Sequence, residues 1–171
     1  AIHNGMSMVT EDRLLTGIIS NQSIRENVAV VYLPSIVNQI QFVNEKKELE
    51  DVSNIVKTLA VKCSSLTQPI GSLSGGNQQK AIIAKWLLTK PKILLLDEPT
   101  RGIDVGGKSE VHKLIAELAD EGMAVIMISS ELPEIEGMSD RVYVFREGRV
   151  CGEFSKSEID SNEIVKCAFG I

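Results

Sequence analysis

Two clusters in this chain combine residue types and spacings that could handle a phosphate. The first is Leu73-Ser-Gly-Gly-Asn-Gln-Gln-Lys80, which sets a serine and two glycines directly before a helical pattern. Backbone N–H groups at a helix N-terminus face outward with the positive end of the helix dipole and form an anion site. Gly75 and Gly76 would let the backbone approach a phosphate closely, and Ser74 and Asn77 could donate further hydrogen bonds. The same residues also suit a plain Ser/Asn cap with glycines serving a turn. The second cluster is Asp97-Glu98, closing the apolar run Ile93-Leu-Leu-Leu96. Ligands of open α/β sheets sit beyond the carboxyl ends of the strands. At such a place Asp97 could hold a magnesium ion through water, and Glu98 could orient and activate an attacking water. The alternative is a buried strand ending in a polar turn.

The elements that must position these groups follow from hydrophobic periodicity. Met6–Val9 reads as extended. Leu49, Val52, Val56, Leu59 and Ala60 recur at helical steps and predict a helix over about 44–62. A second helix is expected over about 77–88, stopped near Lys90-Pro91. Ile93–Leu96 and Ala124–Ile128 read as strands buried on both faces, joined by a helix over 108–121 that Gly122 ends. A short helix over 131–138 follows. Glu147-Gly148 then joins two strands as a hairpin, and a helix around 157–168 closes the chain. Strand–helix–strand alternation predicts an α/β class with a mainly parallel sheet and an antiparallel edge. The first 90 residues lack it, so a helical subdomain is expected at 24–89, between a segment 1–23 and an α/β segment 90–171.

Composition narrows the function classes. The chain has 171 residues, 43% hydrophobic and 24% charged, which fits a globular domain and excludes a collagen-like repeat or polybasic arm. Its apolar runs, such as Met123–Ile128, reach about a third of the ~18 residues of a membrane span. No secretion-signal pattern is seen at its start. A net charge of −5 argues against a nucleic-acid partner. Cys63, Cys151 and Cys167 are odd in number and far apart in sequence, and are expected as reduced thiols outside any disulfide framework or zinc site. With only His3 and His112, a His-based triad is not expected.

Taken together, Leu73–Lys80, Ile93-Leu-Leu-Leu-Asp-Glu-Pro-Thr100 and Arg101-Gly-Ile-Asp104 resemble the ABC-transporter ATPase family, with signature motif, Walker B strand and D-loop in the family's order. The Asn-Gln-Gln-Lys variant and Arg101–Gly106 are similar to the ATPases of bacterial simple-sugar importers of ribose, galactose or xylose, which carry two cassettes in one chain. Ala1–Met6, Glu11-Asp-Arg13, Ser23–Asn27 and Ile128–Glu134 resemble the second, C-terminal cassette. The resemblance implies a P-loop NTPase core with a helical signature subdomain. It also implies ATP and Mg2+ as ligands, and ATP hydrolysis coupled to sugar uptake at the cytoplasmic face of a bacterial membrane. The implied partners are the opposite cassette, membrane permease subunits and, indirectly, a sugar-binding protein.

Roles follow residue by residue from the resemblance. Ser74, Gly75, Gly76, Asn77 and Gln78 would meet ATP held by the opposite cassette. Asp97 would be the metal partner and Glu98 the catalytic base of this half's own site, with Asp104 at the contact between cassettes. Two positions depart from the family. Glu11 stands where most cassettes place the Q-loop glutamine, and Ser130 where they place the switch histidine, so this half's own site is expected to be weakened.

Gly102-Ile-Asp-Val-Gly-Gly-Lys-Ser109 fits G-x-x-x-x-G-K-[ST], the phosphate-loop pattern. Asp97–Arg101 already accounts for the strand end, and Asp104 would place a negative charge in the cradle. The D-loop reading is preferred. With this segment set aside the chain lacks a phosphate loop, and it is expected to be the C-terminal part of a cassette, prone to self-association. The rival readings are a non-catalytic signature donor and a small kinase using Lys108 and Ser109.

Overall fold

In the computed structural model, which describes residues 1–37 and 42–170, three short apolar segments pair as a parallel sheet. They are β1 (Met6–Val9), β2 (Ile93–Asp97) and β3 (Ala124–Ile128), in the spatial order β1-β2-β3. Met6 faces Ile93, and Ile93 faces Ala124. The chain divides into two units, Ala1–Ile128 and Ser129–Ile171.

Between β1 and β2 the first unit inserts three helices: α1 (Ile24–Ala29), α2 (Glu45–Thr58) and α3 (Gly75–Leu87). Side-chain caps start the first two. Ser23 and Glu26 form a reciprocal capping box at α1, a Ser-x-x-Glu signal. The Asn44 side chain accepts from the Lys47 amide at α2. The helix α4 (Val105–Asp120) links β2 to β3. Asp104 caps it by accepting from the Gly107 amide at 2.6 Å. This cap starts α4 three residues before the expected 108, so Gly106 and Gly107 lie in a helix. Helix α3 also begins early, at Gly75 instead of 77, with Ser74 at its N-cap position in extended backbone. At α2 the expected extension to 62 fails because Leu59 caps the helix and Ala60 turns to φ +48°.

Helix α3 packs on β1 and α4 packs on β3. Val9, Leu94 and Leu96 point to that side and are buried, as are Ile83 on α3 and Val111 on α4. The reading of two-sided burial is corrected for β3: Ala124, Ile126 and Ile128 alternate outward and are exposed. Met8, on the middle of β1, is exposed as well.

The second unit holds α5 (Leu132–Met138), the hairpin β4 (Arg141–Arg146) and β5 (Arg149–Ser155), and α6 (Ser161–Phe169). Glu147 and Gly148 both have positive φ, as a tight hairpin turn demands. The antiparallel pair forms its own two-stranded sheet and is not the edge of the parallel one, which corrects the sequence reading. Val142, Val144 and Ile164 form the unit's core, with Leu132, Ile135 and Phe154 against them. Helix α6 starts at Ser161 instead of 157 because Asp160 accepts from the amides of Asn162 and Glu163. Among the described residues no helix is long and apolar enough to cross a membrane.

Candidate functional site

The N-terminus of α3 is where the first phosphate-handling cluster folds. Ser74 is the N-cap residue in extended backbone, yet its side chain makes no cap hydrogen bond. Its Oγ instead accepts from the Asn77 side-chain amide at 2.9 Å. The Asn77 carbonyl oxygen in turn accepts from the Lys62 backbone amide at 2.7 Å. Asn77 is thereby committed within the protein. The Ser74 oxygen, with one lone pair occupied, keeps its hydroxyl hydrogen to donate beside the α3 amides.

Gln78 is buried and turned inward. Its amide nitrogen donates to the Leu73 carbonyl at 3.1 Å, and its oxygen accepts from Arg13 Nε at 3.2 Å. Arg13 carries no role in the sequence reading, although it was in view in Glu11-Asp-Arg13. It stands in a one-turn π-helix, Arg13–Gly17, that Asp12 caps through the amides of Leu14 and Leu15. From there its guanidinium donates to the carbonyls of Arg101 at 2.7 Å and Gly102 at 3.1 Å. One side chain therefore joins the segment after β1, the start of α3 and the loop after β2. Lys85 on α3 adds a second tie, donating to the Gly17 carbonyl at 2.6 Å. Burial pushes its pKa down.

Asp97 and Glu98 end β2 half-buried, beyond the carboxyl end of the strand. Glu98 adopts φ +48°, a left-handed conformation that costs a non-glycine residue about 1 kcal/mol. Its amide donates to the Ile128 carbonyl at 2.9 Å, which fixes the turn. Glu11 forms an ion pair with Arg101. Asp104 is exposed, and its carboxylate is engaged with the start of α4. Ser130 is exposed in the second unit, just before α5.

The first unit thus brings together Glu11, Ser74, Gly75, Gly76, Asn77 and Gln78 through Arg13 and the loop after β2. Among the described residues no three His, Cys, Asp or Glu side chains form a metal-holding group. A single carboxylate such as Asp97 suits magnesium, which takes one or two carboxylates and fills its other positions with water and phosphate. Lys108 lies inside α4, and residues 105–109, the second part of the segment Gly102–Ser109, form the first turn of that helix behind the Asp104 cap.

A further cluster went unread because its members are far apart in sequence. Glu110 on α4 bridges Lys62 at 2.7 Å and Lys80 at 2.9 Å, and Lys80 also donates to the Ala60 carbonyl at 2.7 Å. These contacts fasten the segment after α2 onto α3 and α4 beside the Ser74 turn. The two ammonium groups hold the Glu110 carboxyl down to about 2 from an ordinary 4.5. A carboxylate depressed in the folded state stabilises above its unfolded pKa, and the contribution is lost as pH falls through the folded value. Glu110→Gln is therefore expected to lower the urea midpoint at neutral pH, with the gap to the parent closing between about pH 4.5 and 2. A gap that did not change with pH would count against this assignment.

Comparison with known proteins bears on the fold and the family. The family model described as "ABC transporter" matches residues 1–101. The ribose import ATP-binding protein RbsA of Rhodococcus jostii is 49% identical over 170 residues, covering 99% of this chain and 34% of that protein. The xylose import ATP-binding protein XylG of Thermoanaerobacter pseudethanolicus is 46% identical over 172 residues, with 99% and 34% covered. The chain spans about a third of the length of the curated relatives it matches. Among solved structures, a Clostridium perfringens protein described as part of the ABC transporter complex cbiONQ superposes with a TM-score of 0.74 at 27% identity, covering 95% of this chain and 62% of that one. An ATP-binding cassette of an ABC transporter gives a TM-score of 0.79 at 21% identity, covering 97% and 69%, which shows the fold alone. The sheet with its helices is the ABC ATPase form of the P-loop NTPase fold, and the chain belongs to the ABC transporter family.

Proposed function

We propose that this chain is the C-terminal part of an ATP-binding cassette, the second of two, in an ABC transporter that imports a sugar. The observation that carries the reading is the Lys62–Asn77–Ser74 chain of hydrogen bonds at the uncapped start of α3. It presents a serine hydroxyl and glycine backbone for an anion brought from outside the unit. The ribose and xylose import names of the relatives support the sugar class. In this reading residues 24–89 form the helical signature subdomain.

Ser74, Gly75 and Gly76 would clasp the γ-phosphate of ATP held by the opposite cassette, while Asn77 and Gln78 hold the loop in shape. Asp97 would hold magnesium at this half's own site, where the ion's charge offsets that of the phosphates. Glu98 would orient and activate water there. Glu11, paired with Arg101, and Ser130 replace an amide and an imidazole, which leaves that site the weaker of two. The partners would be the opposite cassette, permease subunits and a sugar-binding protein, at the cytoplasmic face of the membrane. The exposed strand residues of β3 support self-association of the isolated chain.

Steady-state hydrolysis of Mg-ATP tests the reading. The parent, assembled with permease and loaded binding protein, is expected to turn over ATP, and the 171-residue chain alone is expected to stay at background. Hydrolysis by the isolated chain that Lys108→Ala abolishes would instead make Gly102–Ser109 a phosphate loop.

A further inference from the structure

Two of the three cysteines, sixteen positions apart, meet in the second unit. The strands β4 and β5 pair with a bulge: Val144 faces Gly152 while Phe145 faces Val150, so Cys151 is left with no partner across the hairpin. Bulges re-aim the side chain of the extra residue. Here Cys151 Sγ lies 3.4 Å from the Val144 carbonyl and 3.3 Å from the carbonyl of Cys167 on α6. The Cys167 thiol donates to Cys151 Sγ at 2.8 Å. Gly152 makes room for that approach, since a Cβ there would stand 2.7 Å from Cys167 Sγ. Both thiols are free, Cys151 is exposed and Cys167 is partly so. A disulfide bond is about 2.05 Å long, so the sulfurs need to close by less than ~1 Å.

We propose that Cys151 and Cys167 are a modification site at which hydrogen peroxide converts the thiol pair into an intramolecular disulfide tying α6 to the hairpin. Cys151, the more exposed sulfur and the acceptor of the Cys167 S–H, attacks the peroxide as thiolate. An S–O bond forms, the O–O bond breaks, and the departing hydroxide takes up the proton released by the Cys151 thiol and leaves as water. Cys167 sulfur then attacks Cys151 sulfur, the S–S bond forms, the S–O bond breaks, and a second water leaves with the Cys167 proton. Two thiols are oxidised and one peroxide is reduced to water. Cys63, in the first unit, takes no part.

The test uses the reduced 171-residue chain treated with hydrogen peroxide, quenched, denatured and assayed for free thiols, with intact mass and peptide mapping alongside. The expected result is a fall from three thiols to one, a mass loss of two hydrogens, and a Cys151–Cys167 linked peptide that dithiothreitol releases. Cys63→Ser should form the same link, its thiols falling from two to none, and Cys167→Ser should give no intramolecular link. Gly152→Ala should slow formation about tenfold, which corresponds to ~1.4 kcal/mol on the barrier. Three surviving thiols, separate oxidation of Cys151 and Cys167 to sulfinic acids, or links between chains alone would each overturn the proposal.

Discussion

Gly75→Asp in the assembled parent transporter is expected to cut ATP hydrolysis by about a hundredfold or more, the scale of losing aligned donors from a charge-stabilising site. The cause is local. A Cβ at Gly75 would lie 3.0 Å from Arg13 Nη2 and 3.4 Å from the Gly102 carbonyl. A carboxylate there repels the γ-phosphate that the Ser74 turn is proposed to clasp. It also draws the Arg13 guanidinium off the carbonyls of Arg101 and Gly102. ATP binding should survive, because in the proposed assembly the nucleotide is held by the phosphate loop of the opposite cassette. Gly75→Ala should do much less, since its new methyl meets only the movable end of Arg13 and a carbonyl at a tolerable distance. Glu98→Gln should also do less harm, because in the proposed reading the site it serves is the weaker of the two, with the carboxylate of Glu11 where an amide is expected. Hydrolysis measured with permease and loaded binding protein gives the ranking. If Glu98→Gln stopped turnover while Gly75→Asp left it near normal, the proposed division between donor loop and weakened site would be wrong.

The second large effect concerns stability. Helices α3 and α4 start side by side at two glycines: a Cβ on Gly76 would stand 3.0 Å from Gly107 Cα. On Gly107 it would stand 2.5 Å from Ile103 Cγ2 and 3.4 Å from Gly76 Cα. Helix propensity alone would favour replacing Gly107, by up to ~1 kcal/mol. Overpacking against the buried Ile103 costs roughly 1–3 kcal/mol for small additions and should win. Gly107→Val is therefore expected to destabilise by about 3 kcal/mol and to lower Tm by roughly 10 °C. The neighbouring Gly106 gives the opposite sign. Its Cβ would meet only Asp104 Oδ1 at 3.5 Å, so Gly106→Ala should be neutral or stabilising by a few tenths of a kcal/mol. Urea denaturation of the two variants beside the parent checks the pair. Equal losses at 106 and 107 would show that the close approach of the helices is not what limits the site.

The parts of the fold that were legible in sequence share one property: their signals are local. The three strands, the helix after β2 and the hairpin at Glu147-Gly148 follow from short-range periodicity and turn chemistry. Helix starts were misplaced where a capping side chain acts across residues that read as loop, as Asp104 does for Gly106 and Gly107 and Asp160 does for α6. The capping box at Ser23 and Glu26 was a readable signal for α1 that periodicity passed over, because the helix is only six residues long. At the candidate site, residue types announced Ser74–Asn77 and Asp97-Glu98. They did not announce what holds the loop in place. Arg13 reaches Gln78, Arg101 and Gly102 across 65 to 89 positions, and Glu110 reaches Lys62 and Lys80 across 48 and 30. No pattern along the chain encodes such pairings. The pairing of Cys151 with Cys167 was hidden for a related reason, since it depends on a bulge that shifts the register by one residue.

The pairing of Met6 with Ile93 has a consequence for synthesis on the ribosome. Chains grow at about 5–20 residues per second, so β1 is made roughly 4–18 seconds before its partner strand β2. Through that interval the hydrogen bonds of β1 to β2 cannot form. The segment between is not idle, because α1, α2 and α3 contact one another and can collapse before the sheet exists. Helix α3 also packs on β1, so it can shelter that strand until β2 arrives. From this order of synthesis the helices are expected to form first and the β1–β2 register last, because non-local parallel pairing must pay for loop closure before it is rewarded.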